Sequence, residues 1–188
     1  MRLPYVPTPP ENLTPPEEEI VQRVLARRGS RGLIPLDRTL LHSPPVADGW
    51  NSLLGAIRTK TSLPTDLREI VICRVALMNE AWYEWKHHAP ILLDADGFTE
   101  EMLRVVRRLD QAGGKGPLNE KQWVVLRYAD AMTRNIKVED GLFEELRSTA
   151  GLAEKEIVEL TATVATYNCV SRFLVALDVG EMNGKVPE

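Results

Sequence analysis

Apolar residues along most of this chain recur at intervals of three and four, which places them on one face of an α-helix. The stretch from Leu67 to Met78 shows this spacing clearly, and the segment from about Ala153 to Val179 is almost entirely apolar on one face. The alternation of apolar and polar residues that is typical of a half-buried strand does not occur in the sequence. The pattern therefore predicts an all-α, single-domain bundle of seven or eight helices.

Capping residues and prolines set the ends of the predicted helices. Thr14, Pro15 and Glu17 form a capping-box start for a first helix that ends at Gly29. Asn79 is predicted to end one helix and cap the next. Further helices are predicted over residues 36–42, 46–60, 80–93, 99–109, 121–134 and 139–150.

The first thirteen residues differ from the rest because they contain four of the thirteen prolines. Proline removes backbone donors, so we expect an extended arm here, either disordered or lying along the body or a neighbouring subunit. The remaining length suits one domain. The predicted division is an arm over 1–13, a helix and loop over 14–35, a helical domain over 36–180 and a tail over 181–188.

The composition of the chain limits which partners and which cellular compartment we expect for it. A hydrophobic content of 44% is enough to bury a core, and a net charge of -4 with scattered basic residues gives no reason to expect nucleic acid. No apolar run approaches the roughly 20 residues of a membrane span, and Met1 leads into prolines rather than a secretory signal. Cys73 and Cys169 lie in apolar-rich helical segments, where we expect both to be buried. The expectation is a cytoplasmic protein with reduced cysteines and no membrane partner.

Candidate chemistry is concentrated between Leu67 and His88. Glu84 and His88 are four residues apart and share one helix face, and Glu69 precedes them on another predicted helix. A carboxylate near an imidazole fixes its tautomer and raises its basicity, an arrangement typical of proton-transfer sites. The three histidines include no pair with zinc or di-iron spacing, so we predict neither a metal nor another cofactor.

Five segments carry a resemblance to a known family. They are residues 67–69, 79–88, 97–101, 126–133 and 167–173. These segments resemble the carboxymuconolactone decarboxylase family, which shares its fold with the alkyl hydroperoxidase D enzymes, and the similarity extends from about Leu36 to Val179. The resemblance implies that helical fold, a small-molecule substrate and assembly as a homo-oligomer, either a trimer or a hexamer.

The redox motif of the related peroxidases is missing. Their pattern is Glu, eleven residues, Cys-x-x-Cys, three residues and His. Counting from Glu69 places the two cysteines at Ala81 and Glu84 and the histidine at His88, so the acid and the histidine match and both cysteines are absent. Disulfide chemistry needs a reactive thiolate and a resolving thiol. The resemblance is therefore to the decarboxylase branch, in which Glu and His are four residues apart.

Decarboxylation needs an acid that protonates carbon and a cation that orients the carboxylate. We predict His88 as the general acid/base, with Glu84 or Glu69 controlling its proton. Arg172 is the candidate anchor for an anionic substrate, and Asn168, four residues earlier on the same face, is a candidate oxyanion donor.

Each of these assignments has a structural alternative. Tyr83 and Trp85 either form an aromatic wall for a flat substrate or belong to the core. A Glu-x-x-x-His pair also occurs in surface ion pairs, and Glu69 can equally cap or bridge helices. Arg172 can instead pair with a buried acid such as Asp130.

The favoured function is cofactor-free decarboxylation, or a related isomerisation or dehydration, of a small anionic lactone or cyclic acid. One alternative is a peroxidase-like redox protein of the same fold that uses Cys73 or Cys169 in a non-standard way. The other is a non-catalytic oligomeric binding module, because an apolar last helix and a proline-rich arm also suit assembly alone.

Overall fold

The computed structural model describes residues 1–187, and within them the chain forms nine α-helices, two short 3₁₀ helices and no strand. The α-helices are α1 (Pro15–Arg28), α2 (Pro35–Leu40), α3 (Pro44–Thr59), α4 (Thr65–Met78), α5 (Trp82–Leu93), α6 (Glu100–Val106), α7 (Glu120–Asn135), α8 (Asp140–Ser148) and α9 (Glu154–Leu177). The all-α prediction is confirmed. The total of seven or eight helices was too low, although each of the nine α-helices overlaps a segment for which the sequence predicted a helix.

The chain divides into two compact units. Unit 1 consists of Met1–Thr61 and Leu177–Glu181, and unit 2 consists of Ser62–Ala176 with the C-terminal residues from Met182 onward. The division after residue 61 differs from the predicted one after residue 35, because α1 packs against α3 within unit 1.

In unit 1, the predicted capping box opens α1. The backbone N–H of Thr14 donates to the carboxylate of Glu17 at 2.8 Å, and Pro15 occupies the first helical position. The buried face of this helix consists of apolar residues at helical spacing: Ile20, Val21 and Val24. One buried ion pair ties α1 to α2, because Arg28 donates two hydrogen bonds to Asp37 at 2.7 and 2.8 Å.

The N-terminal arm is extended and lies along the other elements of unit 1. The backbone N–H of Val6 donates to the carbonyl of Arg38 at 3.2 Å, and the Arg38 side chain returns a bond to the Val6 carbonyl at 2.7 Å. The N–H of Arg2 donates to the carbonyl of Leu177 at 2.9 Å. Of the three placements expected for this arm, the structure shows the one along the body of the protein.

In unit 2, α4 is the central helix. Ten of its fourteen residues are buried, and it packs against α5, α6 and α7. Apolar residues occur all around this helix, and its buried positions also include the charged residues Glu69 and Arg74. Asn79 ends α4 as predicted, but Ala81 rather than Asn79 precedes α5 as its N-cap residue.

The last helix, α9, is the longest, with 24 residues. It is the one helix within residues 1–187 whose length and composition would also suit a membrane span, yet 44% of its most apolar window is buried inside the protein. Its buried positions include the polar residues Thr163, Thr166 and Ser171 beside apolar ones such as Leu160. This mixture is typical of a core helix that meets other protein elements.

A buried ion pair between α4 and α7 organises the loop that follows α6. Arg74 donates two hydrogen bonds to Asp130, at 2.6 and 2.7 Å, and further bonds to the carbonyls of Val106 and Arg108. The side chain of Gln111 also donates to Asp130, at 2.7 Å. The pairing of Asp130 with Arg172, considered as an alternative from the sequence, was therefore wrong, because Arg74 occupies that carboxylate.

Candidate active site

Four titratable side chains meet between α4 and α5. Glu69 and Cys73 are one turn apart on α4, and Glu84 and His88 are one turn apart on α5. All four are buried, with His88 the most exposed of them at 6%. Because each pair shares a helix face and the two helices pack against each other, unit 2 itself assembles the cluster.

His88 is held by Glu69 across the two helices. Nδ1 of His88 lies 2.6 Å from Oε2 of Glu69, while Nε of Arg68 donates to the other oxygen, Oε1, at 3.1 Å. A carboxylate can only accept, so Nδ1 carries a proton and donates it, which leaves Nε2 as the nitrogen that can take up or release one. Of the two glutamates that the sequence left open as partners of His88, the structure places Glu69 in contact with its ring.

The electrostatics of Glu69 keep it ionised. Burial raises the pKa of this carboxyl, but the hydrogen bond and charge of His88, together with those of Arg68, outweigh burial and lower the pKa below its ordinary value. Arg68 was not among the residues singled out from the sequence. Its position directly before Glu69 gave no signal, because neighbours along a helix point about 100° apart.

Tyr167 of α9 covers the other nitrogen of the imidazole. Its hydroxyl lies 3.4 Å from Nε2 of His88, and the two rings meet edge to face with centroids 5.1 Å apart. The hydroxyl contact is longer than a normal hydrogen bond. In the sequence, Tyr167 lies in the apolar last helix and in one of the five segments that carry the family resemblance, but it was not singled out as a site residue. A polar phenol tip on such a helix was the available signal.

Glu84 is buried without a partner. Its exposed fraction is 2%, and neither carboxyl oxygen has a hydrogen-bond partner within residues 1–187. Burial raises the pKa of Glu84 well above its ordinary value, and the negative charge of Glu69 adds to the rise. The pKa values of the two carboxyls therefore shift in opposite directions, which favours the ionised form of Glu69 and the protonated form of Glu84.

The two cysteines lie in contrasting surroundings. Cys73 is fully buried, and burial, followed by the charges of Glu69 and Glu84, raises the pKa of its thiol well above the ordinary value. Cys169 is exposed, so the expectation that both cysteines are buried was wrong for this one. The reason is the direction of its side chain, because Cys169 shares the outer face of α9 with the exposed Ala165 and Arg172.

Arg172 and Asn168 belong to a different group of polar residues. The guanidinium of Arg172 is exposed and bonds back to the carbonyl and the side-chain oxygen of Asn168. The amide of Asn168 donates to Thr133 at 3.0 Å, and Asn79 donates to Asn168 at 3.2 Å. The helical period places Arg172 about 140° around α9 from Tyr167, so the structure does not bring it to the His88 cluster.

Tyr83 and Trp85 are both buried on either side of Glu84. The ring of Tyr83 lies against the exposed His87, with centroids 4.4 Å apart, and the carbonyl of Tyr83 lies 2.6 Å from Nδ1 of His87. Trp85 packs beneath the guanidinium of Arg107, 6.0 Å from its ring centre. Both aromatic side chains thus have packing partners on the sides of α5 that flank Glu84.

No arrangement of three or more His, Cys, Asp or Glu side chains suited to a metal ion occurs in the described part of the chain. His42 lies in unit 1 with Nε2 2.7 Å from the carbonyl of Pro4, far along the chain from the other two histidines. The chemistry that the cluster can perform with its own groups is proton transfer, with Nε2 of His88 as the exchanging atom.

The chain is similar in sequence to one described family and in structure to several solved proteins. Residues 44–118 match the carboxymuconolactone decarboxylase family. No curated protein matches the chain in sequence.

Among the solved structures, a peroxidase-related protein from Ralstonia eutropha JMP134, described as an alkylhydroperoxidase AhpD core, has 20% identity and a TM-score of 0.73, covering 100% of this chain and 97% of that one. A peroxidase-related protein from Silicibacter sp. TM1040 has 18% identity and a TM-score of 0.73, and the match covers 94% of this chain and 91% of that one. The debrominase Bmp8 has 17% identity and a TM-score of 0.68, and the match covers 88% of this chain and 85% of that one. A cysteine-to-alanine variant of that debrominase was crystallised with 2,3,4-tribromopyrrole. At these identities the likeness establishes the fold alone.

Proposed function

We propose, for a chain whose residues 44–118 belong to the carboxymuconolactone decarboxylase family, that His88 is the general acid/base of an enzyme whose proton transfer needs no cofactor. The observation that carries this proposal is the 2.6 Å contact between Nδ1 of His88 and Glu69. It directs Nε2 away from the carboxylate and lets the charge of Glu69 stabilise the imidazolium that forms when Nε2 takes up a proton.

The proposed reaction is decarboxylation of a small anionic lactone or cyclic acid, or a related proton shift on the same class of substrate. When the bond to the carboxylate breaks, carbon dioxide leaves and its electron pair passes into an enolate. Nε2–H of His88 then donates its proton to carbon, and the neutral imidazole regains a proton from solvent. Family membership supports this reaction, and the Glu69–His88 pair supplies the acid that it needs.

The test is turnover of γ-carboxymuconolactone in deuterium oxide, followed by NMR. Wild-type protein should release carbon dioxide and place deuterium on carbon, whereas His88→Ala should be slower by about 10²–10⁴-fold, the usual contribution of a general acid/base. His87→Ala is the matched control, because His87 is the next residue on α5 and is exposed. Unchanged turnover in His88→Ala would exclude this role. No turnover by the folded wild type of this lactone or of a panel of cyclic acids would exclude decarboxylation.

A redox function on the same fold is the second candidate, supported by Cys73 lying in the same cluster as Glu69 and Glu84. The raised pKa of this thiol works against it, because the thiolate is the reactive form. Mild peroxide treatment followed by mass spectrometry separates the two functions. Oxidation of Cys73 in folded protein would favour the redox candidate, and two unmodified cysteines would exclude it.

We also propose that the chain forms a homo-oligomer, either a trimer or a hexamer. The family resemblance is the main support, and the outer face of α9 adds to it, because Val158 is 66% exposed and Ala165 and Cys169 are exposed on the same helix. Light scattering in solution measures the mass directly. A monomer would contradict this assembly, and an oligomer without turnover of any cyclic acid would favour the non-catalytic binding module.

A further inference from the structure

We infer that the carboxyl group of Glu84 is the hydrogen-bond donor that binds the oxygen of an enolate while His88 exchanges a proton with the adjacent carbon. The inference rests on the proposed function of His88 and narrows its substrate class to compounds in which the reacting carbon is next to a carbonyl group. It is carried by the burial of Glu84, by the charges around it and by its position relative to His88.

The burial of Glu84 points to a ligand. Its carboxyl is 98% removed from solvent, and neither oxygen has a hydrogen-bond partner among the described residues. Native proteins satisfy nearly all buried polar side chains, so an exception calls for a functional or structural reason. Within the same cluster, Glu69 accepts from both His88 and Arg68. The incomplete bonding is thus confined to the carboxyl that faces no cation.

The charges around Glu84 determine what kind of ligand it can bind. Burial, and in addition the charge of Glu69, raises the pKa of Glu84, which favours the protonated form that can donate a hydrogen bond. Glu84 is not suited to bind the carboxylate of the substrate, because the one charged group that shifts its pKa is Glu69 and the nearby Arg68 is engaged by Glu69. A single neutral donor suits an oxygen on which negative charge develops during the reaction.

The helix sets the distance between the two groups. Glu84 and His88 are one turn apart on α5, so their β-carbons are about 5–6 Å apart and their side chains project from the same face. That separation allows the two side chains to act on neighbouring atoms of one substrate. The oxygen of a carbonyl group would meet Glu84, and the carbon next to it would meet Nε2 of His88.

The reaction step balances without any other reagent. In a proton shift, Nε2 of neutral His88 takes a proton from the carbon next to the carbonyl, and the electron pair of that C–H bond moves onto the carbonyl oxygen. The O–H of Glu84 hydrogen-bonds to that oxygen without leaving Glu84. Return of the proton from Nε2 to a carbon restores the carbonyl. In a decarboxylation, the same enolate forms by loss of carbon dioxide and is protonated by His88.

Phenols test the inference, because a phenol oxygen imitates the planar, partly charged oxygen of an enolate. We would titrate the wild type, Glu84→Gln and Glu84→Met with 4-nitrophenol and follow its absorbance, which reports the charge on the oxygen. The ligand control is 4-nitroanisole, whose oxygen has no ionisable proton. The protein control is Glu80→Gln, which alters an exposed carboxylate just before α5.

The expected result is binding of 4-nitrophenol that weakens at least about tenfold in Glu84→Met, less in Glu84→Gln and not at all in Glu80→Gln. With a turned-over substrate, Glu84→Met should lower kcat by about 10²–10³-fold, as loss of one oxyanion donor does. Should Glu84→Met not fold, Glu84→Gln keeps the shape of the side chain and replaces its O–H with a weaker amide donor, so a smaller weakening relative to Glu80→Gln remains the expected result.

Equal binding of 4-nitrophenol by wild type and both Glu84 variants would overturn the inference, as would the absence of binding by the wild type. These results are separable from failure of the proposed function, which appears as unchanged turnover in His88→Ala. If His88→Ala loses turnover while the Glu84 variants keep both turnover and phenol binding, the role of His88 stands and that of Glu84 is excluded.

Discussion

Unit 2 contains two buried ionic clusters that share helix α4 and differ in how completely their polar atoms are bonded. In the first, each nitrogen of Arg74 donates to Asp130 or to a backbone carbonyl, and Gln111 donates to Asp130 as well. In the second, the two oxygens of Glu69 accept hydrogen bonds from His88 and Arg68. The carboxyl of Glu84 has no hydrogen-bond partner in the described part of the chain.

This difference indicates that the first cluster stabilises the fold, whereas the second retains a polar group that can bond to a ligand. A fully bonded buried network fixes the elements that it joins, here α4, α7 and the loop after α6. A buried acid without a partner instead destabilises the folded state by about 1–3 kcal/mol. Retaining such a group is reasonable where a ligand bonds to it.

Asp130→Ala should have the largest effect, lowering the free energy of unfolding by about 3–5 kcal/mol, because it leaves the buried Arg74 without its counter-charge. Urea unfolding followed by circular dichroism measures the change. Glu101→Ala, which removes an exposed ion pair with Arg104, is the control and should cost no more than about 1 kcal/mol. A similar small loss for Asp130→Ala would mean that the bonded cluster does not hold the fold.

Glu69→Gln should lower turnover by about 10²-fold while the protein stays folded, because the amide cannot stabilise an imidazolium at His88 as a carboxylate does. Steady-state kinetics over a range of pH measure this change, and nitrogen NMR of the histidine ring reports whether Nδ1 keeps its proton. Glu100→Gln, on the exposed first turn of α6, serves for comparison. Wild-type turnover in Glu69→Gln would remove Glu69 from the mechanism.

Glu84→Met should stabilise the protein, in contrast to Asp130→Ala, and raise the free energy of unfolding by about 1–3 kcal/mol. The substitution replaces an unbonded acid with an apolar side chain of similar length, so the desolvation cost disappears. Urea unfolding at neutral pH measures the gain. A loss of stability would show that the carboxyl of Glu84 is well accommodated and that the contrast between the clusters is false.

The smallest effect is a pH dependence. Burial raises the folded-state pKa of Glu84 above 4.5, its ordinary value, so between these two pKa values the folded protein keeps a proton that the unfolded chain releases. Stability from this group is therefore present below 4.5 and is lost as the pH rises through the folded pKa, by at most about 1.4 kcal/mol per pH unit.

The stabilisation gained by Glu84→Met should consequently grow as the pH rises above 4.5. Glu69, Cys73 and His88 are present in both proteins, so the difference between the two proteins reports Glu84 together with its electrostatic effect on these neighbours. Unfolding midpoints between pH 5 and pH 8 provide the data. Parallel curves for wild type and Glu84→Met would contradict a raised pKa.

Local patterns in the sequence were enough to predict the helices and their starts. The capping box at Thr14 and the helix end at Asn79 depend on neighbours within one turn, and both are present in the structure. The spacing of Glu84 and His88 also predicted a shared face correctly. Each of these features is decided within a single helix.

Contacts between helices were harder to predict. Helical periodicity does not predict whether His88 bonds to Glu84 on its own helix or to Glu69 on the neighbouring helix. In the structure, the packing of α4 against α5 brings Glu69 to the ring of His88. The same limit applies to Cys169, whose exposure depends on which face of a nearly uniform apolar helix meets the rest of unit 2. Likewise, the position of Tyr167 in an apolar helical segment does not predict that packing brings its hydroxyl beside His88.

The buried and the exposed cysteine together allow the rate of local opening in unit 2 to be measured. Cys169 lies on the outer face of α9, so its labelling by an alkylating reagent reports whether the proposed assembly covers that face, whereas Cys73 is buried one turn from Glu69 and must wait until α4 and its neighbours separate. The rate at which Cys73 becomes labelled therefore measures how often this part of unit 2 opens. Since His88 is itself almost entirely covered, that frequency also bounds how quickly a molecule from solvent can reach the imidazole through such openings.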